Sequence, residues 1–363
     1  MQGQSNGTSS SGDLSDSDLS TRIEGRIGRI TLNRPKALNA LTHSMVLRME
    51  AALLDWRDNK DIALVLIDAV GDKAFCAGGD VNALYQSGKA GDVESGRLFW
   101  RDEYRLNAMI KHYPKPYIAF MDRIVMGGGV GISAHGSHRI VTDLSSIAMP
   151  ECLIGLIPDV GATHLLSQCP GFVGEYLALS GERIGGSDAV FAGLADYYVP
   201  AHQLATLKKA LIETGDVRSI GDFQQSSEDS SLAEIQHEID SVFGQESLAS
   251  VLEQLEGHNA SWTQKALKKI AISSPLSLQV AFQLIRKARM EPGIEAALQR
   301  EFRFVSRAVK HSDFLEGVRA AIIDKDRQPT WQHSSLADVT SDEIEQFNVS
   351  APGGDVVLIH DQA

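Results

Sequence analysis

Met126-Gly-Gly-Gly-Val-Gly131 constrains this chain more than any other stretch. Three residues without a Cβ, at the mouth of the apolar run Ile124-Val125, let a second backbone or a ligand carbonyl approach main-chain N–H groups that side chains would shield. Two isolated acids follow, Glu151 in Ala148-Met-Pro-Glu151 and Asp159 in Leu156-Ile-Pro-Asp-Val-Gly161. Each comes after a proline and among apolar neighbours, where ionisation is costly unless a ligand or a charge compensates it. Alone, the glycines are a tight turn and the acids are loop starts. Together, so close in the chain, they point to chemistry.

With 363 residues, 43% of them hydrophobic, the chain suffices for one large domain with an accessory segment or for two ordinary domains. A net charge of −13 argues against nucleic acid or an anionic membrane as the main partner. Cys76, Cys152 and Cys169 are odd in number and lack a C-x-x-C spacing. That suits reduced thiols in a cytoplasmic protein better than a disulfide scaffold, and suggests no metal site. No apolar run approaches the ~20 residues that span a bilayer, and the start resembles neither a signal nor a transit peptide.

Residues 1–22 are mostly Gly, Ser, Asp and Gln as far as Ser20 and are expected to be disordered, because they bury too little to offset their ordering entropy. A first strand is expected over 27–32, then a turn at Pro35, a helix over 41–57 and a strand over 62–67 whose continuous apolar character implies burial on both faces. Residues 98–110 read as a helix carrying Glu103, with further short strands near 117–120, 124–125, 139–142 and 195–199. Alternation of β and α thus organises residues 23–200. After Pro200 the pattern becomes charged and helical over 201–329, and a polar tail occupies 330–363.

Four motifs in order, Ala74-Phe-Cys-Ala-Gly-Gly-Asp80, Met126-Gly-Gly-Gly-Val-Gly131, Met149-Pro-Glu151 and Ile157-Pro-Asp-Val-Gly161, resemble those of the crotonase (enoyl-CoA hydratase/isomerase) superfamily. Asp313-Phe-Leu-Glu-Gly-Val-Arg-Ala320 and Ile323-Asp-Lys-Asp326 are similar to a C-terminal motif of its 3-hydroxyisobutyryl-CoA hydrolase branch, so the resemblance covers about residues 23–329. It implies an α/β fold, a crotonase-type spiral of ββα turns, with a helical C-terminal region that covers the site or builds a homo-oligomer. It also implies that the N–H groups of Gly79 and Gly128 form an oxyanion hole for a thioester carbonyl and that Glu151 and Asp159 are the catalytic acids. Glu103, Lys36, Ala37, Leu38 and Ala77 match substrate-binding positions, and Lys36 and Lys325 would meet the phosphates of coenzyme A. Coenzyme A belongs to the substrate, and no separate cofactor or metal is expected.

The resemblance also implies which reaction. Hydratases of the superfamily use two glutamates, the first at the place occupied here by Gly131, and each acid/base partner is worth ~10²–10⁴-fold. Losing one while carrying Asp159 favours thioester hydrolysis of a short, branched 3-hydroxyacyl-CoA, as in valine degradation. An enoyl-CoA hydratase or isomerase, or a non-catalytic acyl-CoA-binding scaffold, is the alternative. Arg123 stands where the branch usually has glycine and is expected to alter the local turn or reach an acid. Cys152 with His135 or His138 could imitate a Cys-His hydrolase, but its apolar setting favours an inert thiol. Asp80 reads as a helix cap.

Overall fold

The computed structural model describes residues 18–227 and 230–358; the rest of the Ser/Gly/Asp-rich start lies outside the described residues. Strands β1 (Leu19–Glu24) and β2 (Ile27–Leu32) form an antiparallel hairpin. The disorder expected through residue 22 is therefore corrected from Leu19 onward. Leu19 is fully buried opposite Leu32, and Arg22 donates to Thr31 Oγ1 at 3.0 Å. Average composition conceals such a strand, because β2 supplies the ladder and only one side chain must be deeply buried.

Helix α1 (His43–Arg57) leads to β3 (Leu64–Ala69), and the chain then repeats a long-sheet strand, a short-sheet strand and a helix. β3 is followed by β4 (Ala74–Cys76), α2 (Val81–Lys89) and α3 (Val93–Lys111). β5 (Tyr117–Phe120) is followed by β6 (Ile124–Met126) and α4 (Gly128–Gly131). β7 (His138–Val141) is followed by β8 (Ser146–Ala148), a 3-10 turn (Glu151–Ile154) and α5 (Ala162–Ser167). After α6 (Val173–Ser180) and α7 (Gly186–Phe191), β9 (Tyr197–Tyr198) completes the larger sheet. Its order is β1-β2-β3-β5-β7-β9, parallel from β2 onward, and β4-β6-β8 form the smaller parallel sheet. This is a spiral of ββα turns.

β3 is buried on both faces, as its unbroken apolar run implies. Val65 and Ile67 face the main core, while Leu64 and Leu66 join Ile118, Phe120 and Ile140 beneath α8 (Leu204–Thr214), whose Leu207 and Leu211 are fully buried. The change of pattern at residue 200 therefore does not coincide with a change of packing. The first C-terminal helix closes the outer face of the sheet.

Five more helices follow: α9 (Ser231–Phe243), α10 (Leu248–Gly257), α11 (Ser261–Ala271), α12 (Pro275–Met290) and α13 (Ile294–His311). α12 packs on α5 and α6, and α13 packs on α3. Past α14 (Phe314–Val318), the segment expected as a polar tail docks as well, with α15 (Ser341–Glu345) in it. Phe347 and Val356 are buried, the Phe347 ring lies 4.6 Å from that of Phe304, and Arg303 holds Asp355 at 2.7 Å.

Candidate active site

β4 and β6 are parallel neighbours, so the loops that follow them leave the same edge of the smaller sheet. One carries Gly78 and Gly79, the other Gly127 and Gly128. Gly127 adopts φ +49°, which favours glycine, and begins the turn into α4. A Cβ added at Gly128 would stand 3.3 Å from Gly79 N and 2.5 Å from Glu103 Oε1. Only glycine lets these backbones meet. The Gly79 N–H makes no hydrogen bond among the described residues, and that of Gly128 opens α4, where a helix has no partner for it. Two backbone donors are thus left for a ligand oxygen.

Opposite them are acids. Glu151 starts the 3-10 turn after Pro150, is 6% exposed, and its Oε2 has no partner. Glu103, on α3, is 2% exposed with Oε1 unpartnered, so its helix face is not solvated. Asp159, 5% exposed, accepts a hydrogen bond from Tyr104 Oη at 2.8 Å. It precedes two consecutive left-handed residues, Val160 at φ +56° and Gly161 at φ +80°. For a β-branched side chain that geometry is strained and must be imposed by the surroundings. Here the His135 Nε2–H donates to the Val160 carbonyl at 2.8 Å, and Glu301 of α13 receives the Gly161 and Thr163 N–H groups at 2.7 and 3.0 Å, together with the Thr163 hydroxyl.

Neither lysine nor arginine forms an ion pair with Glu103, Glu151, Asp159 or Glu301 among the described residues. Burial therefore dominates their protonation. It holds Glu151 well above the usual carboxylate range, reinforced by the charge of Asp159, and does the same to Glu103. Asp159 is pushed up to about 7 by burial and then by the charge of Glu301, against the Tyr104 hydrogen bond. Glu301 also rises to about 7 through burial, although its Thr163 and Gly161 donors oppose the shift. Such a cluster can take up or release a proton near neutrality.

Donors and acids line one cavity of about 500 Å³. Ala77, Gly79, Glu103, Gly128, Glu151 and Asp159 all lie on its wall, as does the chain's own C-terminal stretch through Gly317, Ala320, Ile322 and Pro329. Lys36, Ala37 and Leu38 do not. Leu38 accepts from Ala77 N at 3.0 Å, and Lys36 faces a separate cavity of about 250 Å³ beside Lys73 and Asn39. Arg123 is away from the main cavity too. Its φ of +67° explains why glycine suits that position, and its side chain turns to Asp122 at 3.7 Å. Asp80 caps α2 through Ala83 N at 3.3 Å. Cys152 is a buried thiol that burial and the Glu151 charge push upward. Burial drives His135 down to about 3, its Nε2 is spent on Val160, and His138 bonds Ser137 and stacks on Tyr197 at 5.9 Å, so among the described residues no hydrogen bond joins Cys152 to either histidine. Glu301 and Tyr104 escaped the sequence reading. The available signal was periodicity, since Ala297, Leu298, Glu301, Phe302, Val305 and Ala308 share the buried face of α13.

Gly131, the place of the missing glutamate, is packed shut. An added Cβ would lie 2.7 Å from Val160 Cβ and 2.9 Å from Asn107 Nδ2.

Among known proteins, the family model described as Enoyl-CoA hydratase/isomerase matches residues 27–348. The 3-hydroxyisobutyryl-CoA hydrolase, mitochondrial, of Xenopus tropicalis is 39% identical over 92% of this chain and 89% of its own. The probable 3-hydroxyisobutyryl-CoA hydrolase 3 of Arabidopsis thaliana is 36% identical over 88% of each. A solved structure described as an enoyl-CoA hydratase from Rhodobacter sphaeroides superposes with a TM-score of 0.89 at 44% identity, covering 94% of this chain and 100% of that one. One described as a carnitinyl-CoA dehydratase from Mycobacterium thermoresistibile gives 0.91 at 40% identity, over 95% and 100%.

Proposed function

The chain belongs to the enoyl-CoA hydratase/isomerase family, and from that premise we propose that it hydrolyses a short branched 3-hydroxyacyl-CoA, 3-hydroxyisobutyryl-CoA above all, to the hydroxy acid and coenzyme A. The names of relatives at 35–39% identity support this substrate. The observation that carries the reaction type is the sealed pocket at Gly131. Val160 and Asn107 fill the space a first glutamate would need, whereas Glu151 and Asp159 both reach the cavity.

The thioester carbonyl oxygen accepts from the N–H groups of Gly79 and Gly128, which stabilise the oxyanion as it forms. The Glu151 carboxylate either attacks the carbonyl carbon, expelling the coenzyme A thiolate and leaving a mixed anhydride for water to open, or takes the proton of the attacking water directly. Asp159, oriented by Tyr104 Oη and the turn that Glu301 holds, receives the substrate's 3-hydroxyl or acts as the partner acid. Glu103 meets the substrate beside Gly128. Oxygen-18 appearing in Glu151 after a single turnover would identify the anhydride route.

The solved structures described as a hydratase and a dehydratase favour hydration of an enoyl-CoA as the second reading. Thiol release from 3-hydroxyisobutyryl-CoA and hydration of crotonyl-CoA, assayed side by side, decide between the two. Thiol release without hydration is expected, and the reverse would sink the proposal. No helix among the described residues is long and apolar enough to cross a membrane. The vertebrate relatives are named mitochondrial, which gives no support to the cytoplasmic setting read from the cysteines. A role in valine degradation and a homo-oligomer through the C-terminal helices belong to the same proposal. The reaction as written needs no cofactor beyond the coenzyme A of the substrate.

A further inference from the structure

Each of the two backbone donors belongs to a peptide unit whose carbonyl is gripped twice. The Gly128 N–H shares its peptide with the Gly127 carbonyl, which accepts from Val130 N at 2.8 Å and Gly131 N at 3.2 Å. The Gly79 N–H shares its peptide with the Gly78 carbonyl, which accepts from Leu41 N at 2.8 Å and from the Cys76 thiol at 3.6 Å. In a trans peptide the N–H points opposite to the C=O, so a donor on the carbonyl aims the N–H away from itself. It also polarises the unit, which strengthens the hydrogen bond that the N–H can give.

The two grips differ in origin. That on Gly127 is local, made by the turn that opens α4. That on Gly78 arrives from Leu41, at the end of a loop that must itself be held. The loop leaves the 3-10 turn Pro35–Ala37 through two consecutive left-handed residues, Leu38 at φ +51° and Asn39 at φ +57°. Asparagine tolerates that backbone and leucine resists it, so the surroundings must impose it. Asn39 is 1% exposed and spends its whole side-chain amide on this task. Its Oδ1 accepts from Arg34 N at 2.8 Å, and its Nδ2 donates to the Val70 carbonyl at 3.0 Å and the Ala74 carbonyl at 2.9 Å. Ala74 begins β4, the strand that leads into Gly78 and Gly79. Asn39 therefore pins the loop where β4 starts, while the bonds from Ala77 N to the Leu38 carbonyl, at 3.0 Å, and from Leu41 N to Gly78 pin it where β4 ends. Leu41 also abuts the second donor, since a Cβ added at Gly128 would lie 3.2 Å from Leu41 Cδ1.

We infer that Asn39, which stands outside the wall of the main cavity, is a positioning residue for the oxyanion hole. By fixing loop 34–41 against β4 it sets the direction of the Gly79 N–H, through the Leu41 bond to the Gly78 carbonyl. This rests on the reading above that Gly79 and Gly128 receive the thioester oxygen.

The test reads the bound carbonyl directly. 3-Hydroxyisobutyryl-CoA carrying carbon-13 at the thioester carbonyl is bound to Glu151→Gln, which should leave the ester intact while isotope-edited infrared difference spectra locate its C=O stretch. The band is expected below that of the free ester. Adding Asn39→Gly, which keeps the left-handed backbone and removes all three amide bonds, should return the band part of the way. With Glu151 in place, Asn39→Gly should lower kcat about tenfold and leave KM within about threefold, because misaiming one donor costs less than the ~10²–10³ of deleting it. A band that Asn39→Gly leaves fully shifted overturns the inference, including the case where Tm falls while kcat per folded molecule holds. Should Asn39→Gly fail to fold, Asn39→Asp takes its place, since it keeps the left-handed backbone and the tie to Arg34 but loses the amide donors; the same two outcomes apply. A band that binding does not lower even with Asn39 present overturns the oxyanion-hole reading and this inference with it. If no ester is hydrolysed but the band still responds to Asn39, the hydrolase reading fails and this one stands.

Discussion

Buried acids are treated in opposite ways in two regions of the molecule. Away from the cavity, two of them are paired with cations. Glu175 of α6, 0% exposed, receives Arg289 at 2.8 and 2.6 Å and has Arg286 Nε at 3.2 Å. Asp68 at the end of β3 is gripped by Arg29 at 2.7 Å and Lys208 at 2.8 Å. Burial alone would raise the Asp68 carboxyl, yet the Lys208 and Arg29 charges and hydrogen bonds hold it below its ordinary value. At the cavity, Glu103, Glu151 and Asp159, with Glu301 behind the Asp159 turn, are buried without an ion pair among the described residues and sit above their ordinary values. The fold has the means to neutralise a buried carboxylate and withholds them around the cavity. Unpaired acids there destabilise the folded state, a cost that is expected where a group must change protonation during a reaction.

The comparison breaks most sharply at Glu151. Glu151→Gln should lower kcat by about 10²–10⁴-fold while leaving coenzyme A ester binding within a few-fold, since the isostere packs alike but cannot attack or take a proton. Steady-state kinetics with a binding titration measure both; retention of more than about a tenth of kcat, a loss below ~1.4 kcal/mol, removes Glu151 from the centre of the mechanism.

In the paired region the effect falls on stability instead. Glu175→Ala leaves Arg286 and Arg289 without their shared anion and should cost about 3 kcal/mol by chemical denaturation, with kcat per folded molecule preserved. Glu103→Gln should do the reverse, raising Tm at pH 8 by a degree or two, on the order of 1 kcal/mol or less, while impairing activity. If both variants lose stability alike, the proposed contrast between the regions is wrong.

pH sharpens the contrast further. Asp159 and Glu301 keep protons up to about 7 in the folded chain, whereas unfolded carboxylates release them near ~4. Their contribution to stability is thus complete in acid and is lost as pH rises from the ordinary carboxylate range through about 7. Wild-type Tm should decline across that window, and Glu301→Gln should flatten the decline. The smallest expected effect is kinetic: Asp159→Asn removes a charge that raises Glu151, so the ascending limb of the remaining kcat/KM profile should move to lower pH. A limb that stays in place would show that the two carboxyls do not sense each other.

Local patterns in the chain carried much of this. The unbroken apolar run became the doubly buried β3, the glycine triplet became the turn from β6 into α4, and the acids after Pro150 and Pro158 became cavity walls. Each depends on a few neighbouring side chains: backbone freedom at Gly127, or the absence of polar residues over one strand. Leu19 was missed because a strand edge is stabilised by its partner, and the order of the segment around Phe347 was not legible because its apolar residues are sparse.

What tertiary structure alone decided are relations between distant residues. Parallel pairing of β4 with β6 brings Gly79 to Gly128, and a helix 140 residues downstream of Gly161 supplies the glutamate that holds the strained turn behind Asp159. Whether a buried carboxylate is ion-paired, as Glu175 is, or left with a phenol as its donor, as Asp159 is, depends on which cations and donors the fold places beside it. Sequence determines that these acids are present and which backbone can bend; desolvation and charge are summed over everything within reach, and that sum exists only once the chain has folded.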